Sequence, residues 1–151
     1  MKKQFEIHLA TRKNILKTIE NLSEEQLNKI PEGFSNNIMW NAAHVLVTQQ
    51  LLCYKMAGLE MSLDETVIDL FKKGSDASYE VCQDEADIIK EELLTLAAKM
   101  EEDYNAGLFK SYETYPTSYN VELTSIEDAI QFNNIHEALH FGYIMALKKA
   151  L

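Results

Sequence analysis

The chain is poor in the residues that interrupt regular structure. Five glycines and two prolines are spread over 151 residues, and runs that alternate apolar and polar residues are scarce. Both shortages argue against sheets and for helices. Cysteine is scarce as well. Cys53 and Cys82 are far apart and form no CxxC pattern; they read as two reduced, packed thiols, with a single disulfide left open. No run approaches the roughly 18–20 apolar residues of a membrane helix. The opening "MKKQFEIHLATRK" lacks an apolar core of signal-peptide length. A soluble, cytoplasmic protein is the expectation. Basic residues number 14 against 24 acidic ones, for a net charge of −10. With no basic stripe to offset that charge, direct nucleic-acid binding is excluded as an expectation.

What remains is a globular balance, 46% hydrophobic and 25% charged, in a chain long enough for one domain (1–151) with a real core. Helix one is predicted over residues 2–21, with Phe5, Leu9, Arg12, Leu16 and Ile19 on one face. Residues 21–37 form a connector with a short helical turn at 23–26, broken by Pro31 and Gly33. Helix two starts at Asn36 or Asn37 and runs to Ala57, where Gly58 suits its end. Trp40, His44, Val47, Leu51 and Tyr54 share a face. Residues 58–83 make a long connection. Within it, 62–71 reads as a short helix with Ser62 and Glu65 as a capping box.

Helix three spans about 84–104, along a seam of Ala86, Ile89, Leu93, Leu96 and Met100. Residues 109–123, rich in Tyr, Ser and Thr, read as an ordered loop that covers one end of the molecule or faces substrate as a lid. Helix four follows Thr124, with Glu127 completing a capping box. It runs nearly to the end of the sequence, where Lys148 and Lys149 suit its negative pole. Helices of about 20 residues are near 30 Å long. An all-α four-helix bundle is the simplest way to bury four such seams.

Helix four carries the sharpest chemical signal. Its positions at spacings of three and four are Ile126, Ala129, Asn133, His136, His140, Tyr143 and Leu147. Two histidines four residues apart lie on one face, about 6 Å apart along the axis. Two ring nitrogens at that spacing reach one metal ion. His44, one turn after Trp40 on helix two, is the best third ligand. Three neutral imidazoles bind Zn²⁺ or a similar divalent ion and leave one position open. His8 reads as a surface residue. Cys53 lies off the face of His44.

The run His136-Glu137-Ala138-Leu139-His140 also matches the H-E-x-x-H pattern of zinc proteases. Those enzymes take a third ligand downstream, and no His, Asp, Glu or Cys follows His140. A zincin protease is therefore not expected. Glu137 is open to two readings: a weak candidate base beside the metal, or a partner for a neighbouring helix. Asn41 and Asn133 either hold the imidazoles or serve as capping and packing polarity. Tyr143 lines the pocket or packs in the core with its hydroxyl at a rim.

At these residues the sequence resembles the DinB/YfiT superfamily. The resemblance rests on "WNAAHVL", with His44 four residues after Trp40, and on "HEALHFG" in the last helix, and it spans the whole chain. Where the family often has "HxGQI", this chain has "HFGYI", so Tyr143 stands in place of Gln. The resemblance implies a four-helix bundle with a long crossover between helices two and three. It implies His44, His136 and His140 as ligands of Zn²⁺ or Ni²⁺. It further implies a small-molecule enzyme, most often a transferase of low-molecular-weight thiols and otherwise a hydrolase, and commonly a homodimer. The rival reading is a non-catalytic, stress-related binding bundle whose metal is structural or adventitious. All of this requires the ring of His44 to lie within about 6 Å of the other two.

Overall fold

The computed structural model describes all 151 residues. Helix α1 (Lys2–Ile19) leads through a single-turn α2 (Glu24–Asn28) into α3 (Ile38–Gln49). A capping box of Ser23 and Gln26 opens α2, in the place where a helical turn is expected. Asn37 caps α3, its side-chain oxygen accepting from the Trp40 N–H at 2.7 Å. Helix two does not stay α-helical to Ala57. A π-helical segment (Gln50–Tyr54) and a 3₁₀ turn (Lys55–Ala57) continue it, and Gly58 stops it at φ +71°. The wider π turn coincides with two consecutive buried polar residues, Gln49 and Gln50.

Helix α4 (Glu65–Phe71) lies in the long connection. Its cap position is held by Asp64 rather than Ser62; the Ser62 N–H instead donates to Gln50 Oε1 at 2.7 Å. Helix α5 spans Gln83–Asn105 and α6 spans Ile126–Lys149. Ser125, not Thr124, caps α6 and accepts from the Asp128 N–H. The loop at 109–123 contains a small antiparallel hairpin of β1 (Tyr115–Pro116) and β2 (Glu122–Leu123). The protein is otherwise all-α. No helix is long and apolar enough to cross a membrane.

Helices α1 and α3 each pack against both α5 and α6. The core divides into two apolar clusters along the bundle. The larger holds Ile15, Leu46, Leu93 and Leu147; the smaller holds Phe5, Cys53, Met100 and Ile130. Between them, three of the four long helices contribute buried polar residues: His8 and Arg12 from α1, Gln49 and Gln50 from the end of α3 and the π segment, Asn133 and Glu137 from α6. The order of the clusters also gives the direction of each helix. Helices α1 and α6 run from the smaller cluster to the larger, whereas α3 and α5 run from the larger to the smaller. Because α3 and α5 point the same way, the chain between them must return along the bundle. Residues 58–82 do this, packing Leu63, Ile68, Phe71, Ala77 and Val81 into the larger cluster on the way.

The seam of α1 keeps Phe5, Arg12 and Ile19 of the expected face but takes His8 and Ile15 in place of Leu9 and Leu16. Phe5, His8, Arg12, Ile15 and Ile19 are buried, while Leu9 and Leu16 are only half-buried. His8 is 1% exposed, so the surface placement expected for it is wrong. A polar seam is tolerable here because a carboxylate from α6 meets it.

Candidate metal centre

His44 from α3 and His136 and His140 from α6 converge. One ring nitrogen from each lies within 4.8 Å of the others. The ring of His44 is 5.1 Å from that of His136 and 4.7 Å from that of His140, centre to centre, inside the required 6 Å.

Neighbours fix the rings. His44 Nδ1 donates to the Phe71 carbonyl at 2.6 Å, so the end of α4 sets its tautomer and leaves Nε2 free of its proton. The Thr48 hydroxyl lies 3.3 Å from that Nε2. Trp40 stacks on the same ring at 4.6 Å and 11°. His140 Nδ1 donates to Asn41 Oδ1 at 2.8 Å. The Asn41 amide group in turn donates to Asn36 Oδ1 and to the Asn37 carbonyl, which fixes its oxygen toward the imidazole. His140 Nε2 is then 3.1 Å from His136 Nε2.

Burial disfavours charge on all three rings; the neighbouring imidazoles add to this at His136 and His140, and Lys73 does at His44. His136 is pushed down to about 4, His140 down to about 3, and His44 below its ordinary value. The rings are neutral at neutral pH, the state in which an imidazole binds a metal.

The residues present fit a divalent ion. Two nitrogens bound to one tetrahedral Zn²⁺ at 2.0–2.1 Å would stand about 3.3 Å apart, close to the separation of His136 from His140. Three neutral nitrogens with no carboxylate suit Zn²⁺ or Ni²⁺ better than Mg²⁺ or Ca²⁺. A family model for the DinB superfamily matches residues 8–144. The chain belongs to the DinB superfamily. No curated protein matches it. Metal binding of the DinB type is consistent with the three-histidine cluster of this chain.

In this DinB-superfamily chain the cluster lies at the wall of a cavity of about 510 Å³. Trp40, Leu51, Phe132 and Leu139 supply apolar lining. The hairpin at 115–123 brings Tyr115, Thr117, Ser118 and Tyr119 to the cavity. The loop thus contacts the pocket as well as covering that end of the bundle.

The other candidate residues lie elsewhere. Tyr143 packs edge-on against Phe34 and does not line the cavity. Asn133 Nδ2 donates to Glu137 Oε1 at 2.7 Å and not to an imidazole. Glu137 is fully buried on the side of α6 that faces α1. Arg12 donates to both of its oxygens, each at 2.7 Å, and His8 Nε2 donates at 2.9 Å. Burial alone would raise the pKa of Glu137. The Arg12 charge and the bonds from His8 and Arg12 outweigh burial and hold the carboxyl well below the usual range. This geometry favours helix pairing over a base at the metal. Arg12 also reaches the Val45 carbonyl and Gln49 Oε1, which joins α1, α3 and α6. Cys53 is buried and Cys82 exposed, both as free thiols.

Three parts of this arrangement carried no sequence signal: the Phe71 carbonyl, the hairpin, and the lysines at the cavity described below. The Arg12–Glu137 pair did carry one. An arginine on the apolar face of helix one requires a buried acid.

Proposed function

We propose that the protein is a metal-dependent small-molecule enzyme whose divalent ion is held by His44, His136 and His140, and that it transfers low-molecular-weight thiols. The reading is carried by one observation: three neutral imidazoles, two with their tautomers fixed from behind, meet at the wall of a cavity large enough for a small substrate. Bound there, Zn²⁺ or Ni²⁺ would lower the pKa of a thiol, or of water, in the position the imidazoles leave open.

The protein's own part is to position and to dry the site. The Phe71 carbonyl and Asn41 keep two imidazoles aimed at one point. Trp40, Leu51 and Phe132 exclude water from the reacting sulfur. In the transfer the thiol loses its proton to solvent, the sulfur bonds to an electrophilic carbon, and the leaving group departs as an anion with the electron pair of the broken bond. Hydrolysis in the same site is the related alternative.

The test begins with protein purified without nickel resin. Close to one equivalent of Zn²⁺ or Ni²⁺ is expected, as purified or after loading, and His140→Ala should lose both metal and thiol conjugation to an alkyl halide. Less than about a tenth of an equivalent, with no uptake on loading, would reject the reading. Full metal with no turnover across several thiols, electrophiles and esters would favour a binding bundle with a structural ion.

A further inference from the structure

The cavity beside the imidazoles has a charge opposite to that of the molecule. The chain has 24 acidic and 14 basic residues, yet no Asp or Glu lines this cavity, while Lys55 and Lys73 do. Neither ammonium group is used by the protein. Lys72, the neighbour of Lys73, pairs with Asp69 at 2.6 Å, and Lys99 pairs with Asp103 at 2.8 Å. Both side chains are exposed, and neither forms an ion pair.

Their placement is set by the fold. Lys73 follows Phe71 by two residues, and the Phe71 carbonyl is held by His44. The first lysine is thereby tied to the imidazole cluster, and its charge reaches His44 and His136. Lys55 opens the 3₁₀ turn after the π segment. It continues the stripe of Trp40, His44, Thr48 and Leu51, all of which line the cavity, roughly 16 Å along the axis from His44. Lys73 is thus placed beside the imidazole cluster by the main chain, and Lys55 farther along the same cavity, which Leu51 and Leu52 also line.

We propose that the cavity selects substrates bearing carboxylate or phosphate groups, with Lys73 receiving an anionic group near the reacting atom and Lys55 one farther out. This rests on the proposed function for the identity of the reacting atom, but the lysine field does not depend on it. Two unpaired cations beside a low-dielectric wall attract an anion without competition from neighbouring carboxylates. A neutral molecule gains nothing from them, and a cationic one is repelled. Because −10 would otherwise repel anions from the whole surface, the local reversal is what admits them.

Four matched thiols test this on zinc-loaded protein at low salt: mercaptosuccinate, 3-mercaptopropionate, 2-mercaptoethanol and cysteamine, with dissociation constants read by calorimetry. The two carboxylates should bind at least about tenfold tighter than cysteamine, and the gap should narrow in about 0.5 M salt, where screening shortens to a few ångströms. In Lys55→Gln/Lys73→Gln the four constants should converge, with zinc content unchanged. Equal affinities in the wild type, or a preference that survives the double substitution, would overturn the proposal and leave the thiol-transfer reading standing. If the chain takes up no metal, that reading fails instead, and succinate titrated into the metal-free protein decides the lysine pair. Shifts in the amide resonances around 55 and 73 that vanish in the double variant support it; no shifts in the wild type refute it.

Discussion

Glu137→Gln is the substitution that most directly tests the buried polar layer. It removes the one negative charge there and leaves Arg12 inside the bundle with its own charge unmatched. Both side chains are 0% exposed, and two contacts of 2.7 Å join them. Opposite unit charges about 4 Å apart attract by ~4 kcal/mol at an effective dielectric near 20. Removing one member of a buried pair costs about 3–5 kcal/mol, a large part of the roughly 5–15 kcal/mol that holds a domain together. The expected loss for Glu137→Gln is therefore ~3–5 kcal/mol, read by urea denaturation of the metal-free protein at neutral pH. Arg12→Met should cost a similar amount. The pair Arg12→Met/Glu137→Leu should cost less than the two singles together, by about 2–3 kcal/mol, because no charge is then stranded. A Glu137→Gln variant within about 1 kcal/mol of wild type, or single costs that simply add, would refute this account. So would a Glu137→Gln protein of full stability and full metal content that has lost turnover, since that is the behaviour of a base at the metal.

Two further predictions concern the imidazoles. Asn41→Ala removes the acceptor for His140 Nδ1 and should weaken zinc binding by about 10–100-fold in competition with a chromophoric chelator. Asn41→Asp should retain most of the affinity, and an unchanged constant for the alanine variant would mean that the hydrogen bond does not orient the ring. The metal-free protein should also begin to lose stability in mild acid, above the ordinary carboxylate range. The folded pKa values of the three rings lie below the unfolded value of 6.5, so the unfolded chain binds more protons below that pH. Stability is full above pH 6.5 and falls toward about 4 for His136 and about 3 for His140, by up to ~1.4 kcal/mol per pH unit for each ring. Melting temperatures between about pH 7.5 and 5 should drop, and less steeply in His136→Asn/His140→Asn; a flat wild-type profile would count against burial of the rings.

The elements were legible wherever periodicity and local chemistry agree. The long seams of α3, α5 and α6 follow from apolar spacing, and Asn37 caps α3 as its type and place require. The histidine pair was legible because two imidazoles at i and i+4 on a helix of apolar neighbours have few other uses. His8 was not, because two faces of helix one fit the spacing rule almost equally. One carries Leu9 and Leu16, the other His8 and Ile15. What decides between them is Glu137, 129 residues away in sequence, and no local rule sees it. The π segment, the Phe71 carbonyl and the hairpin at the cavity share that character, since each is fixed by contacts between distant segments. The caps at 62 and 124 misplace by one or two residues because several adjacent Ser, Thr and Asp side chains compete for the same amides.

The buried pair and the histidines bear on each other through the rotation of α6. Consecutive residues on a helix point about 100° apart, so Glu137 and His136 cannot face the same way. With Glu137 fixed toward α1 by Arg12 and His8, His136 is turned toward α3, and His140 follows it one turn on. The larger apolar cluster alone would tolerate small rotations of α6, because Ile144 and Leu147 can slide against other aliphatic groups at little cost. A buried ion pair with 2.7 Å contacts tolerates much less. The polar layer that splits the core thus acts as a register, and the convergence of His136 and His140 on His44 is its consequence on the opposite flank of the helix.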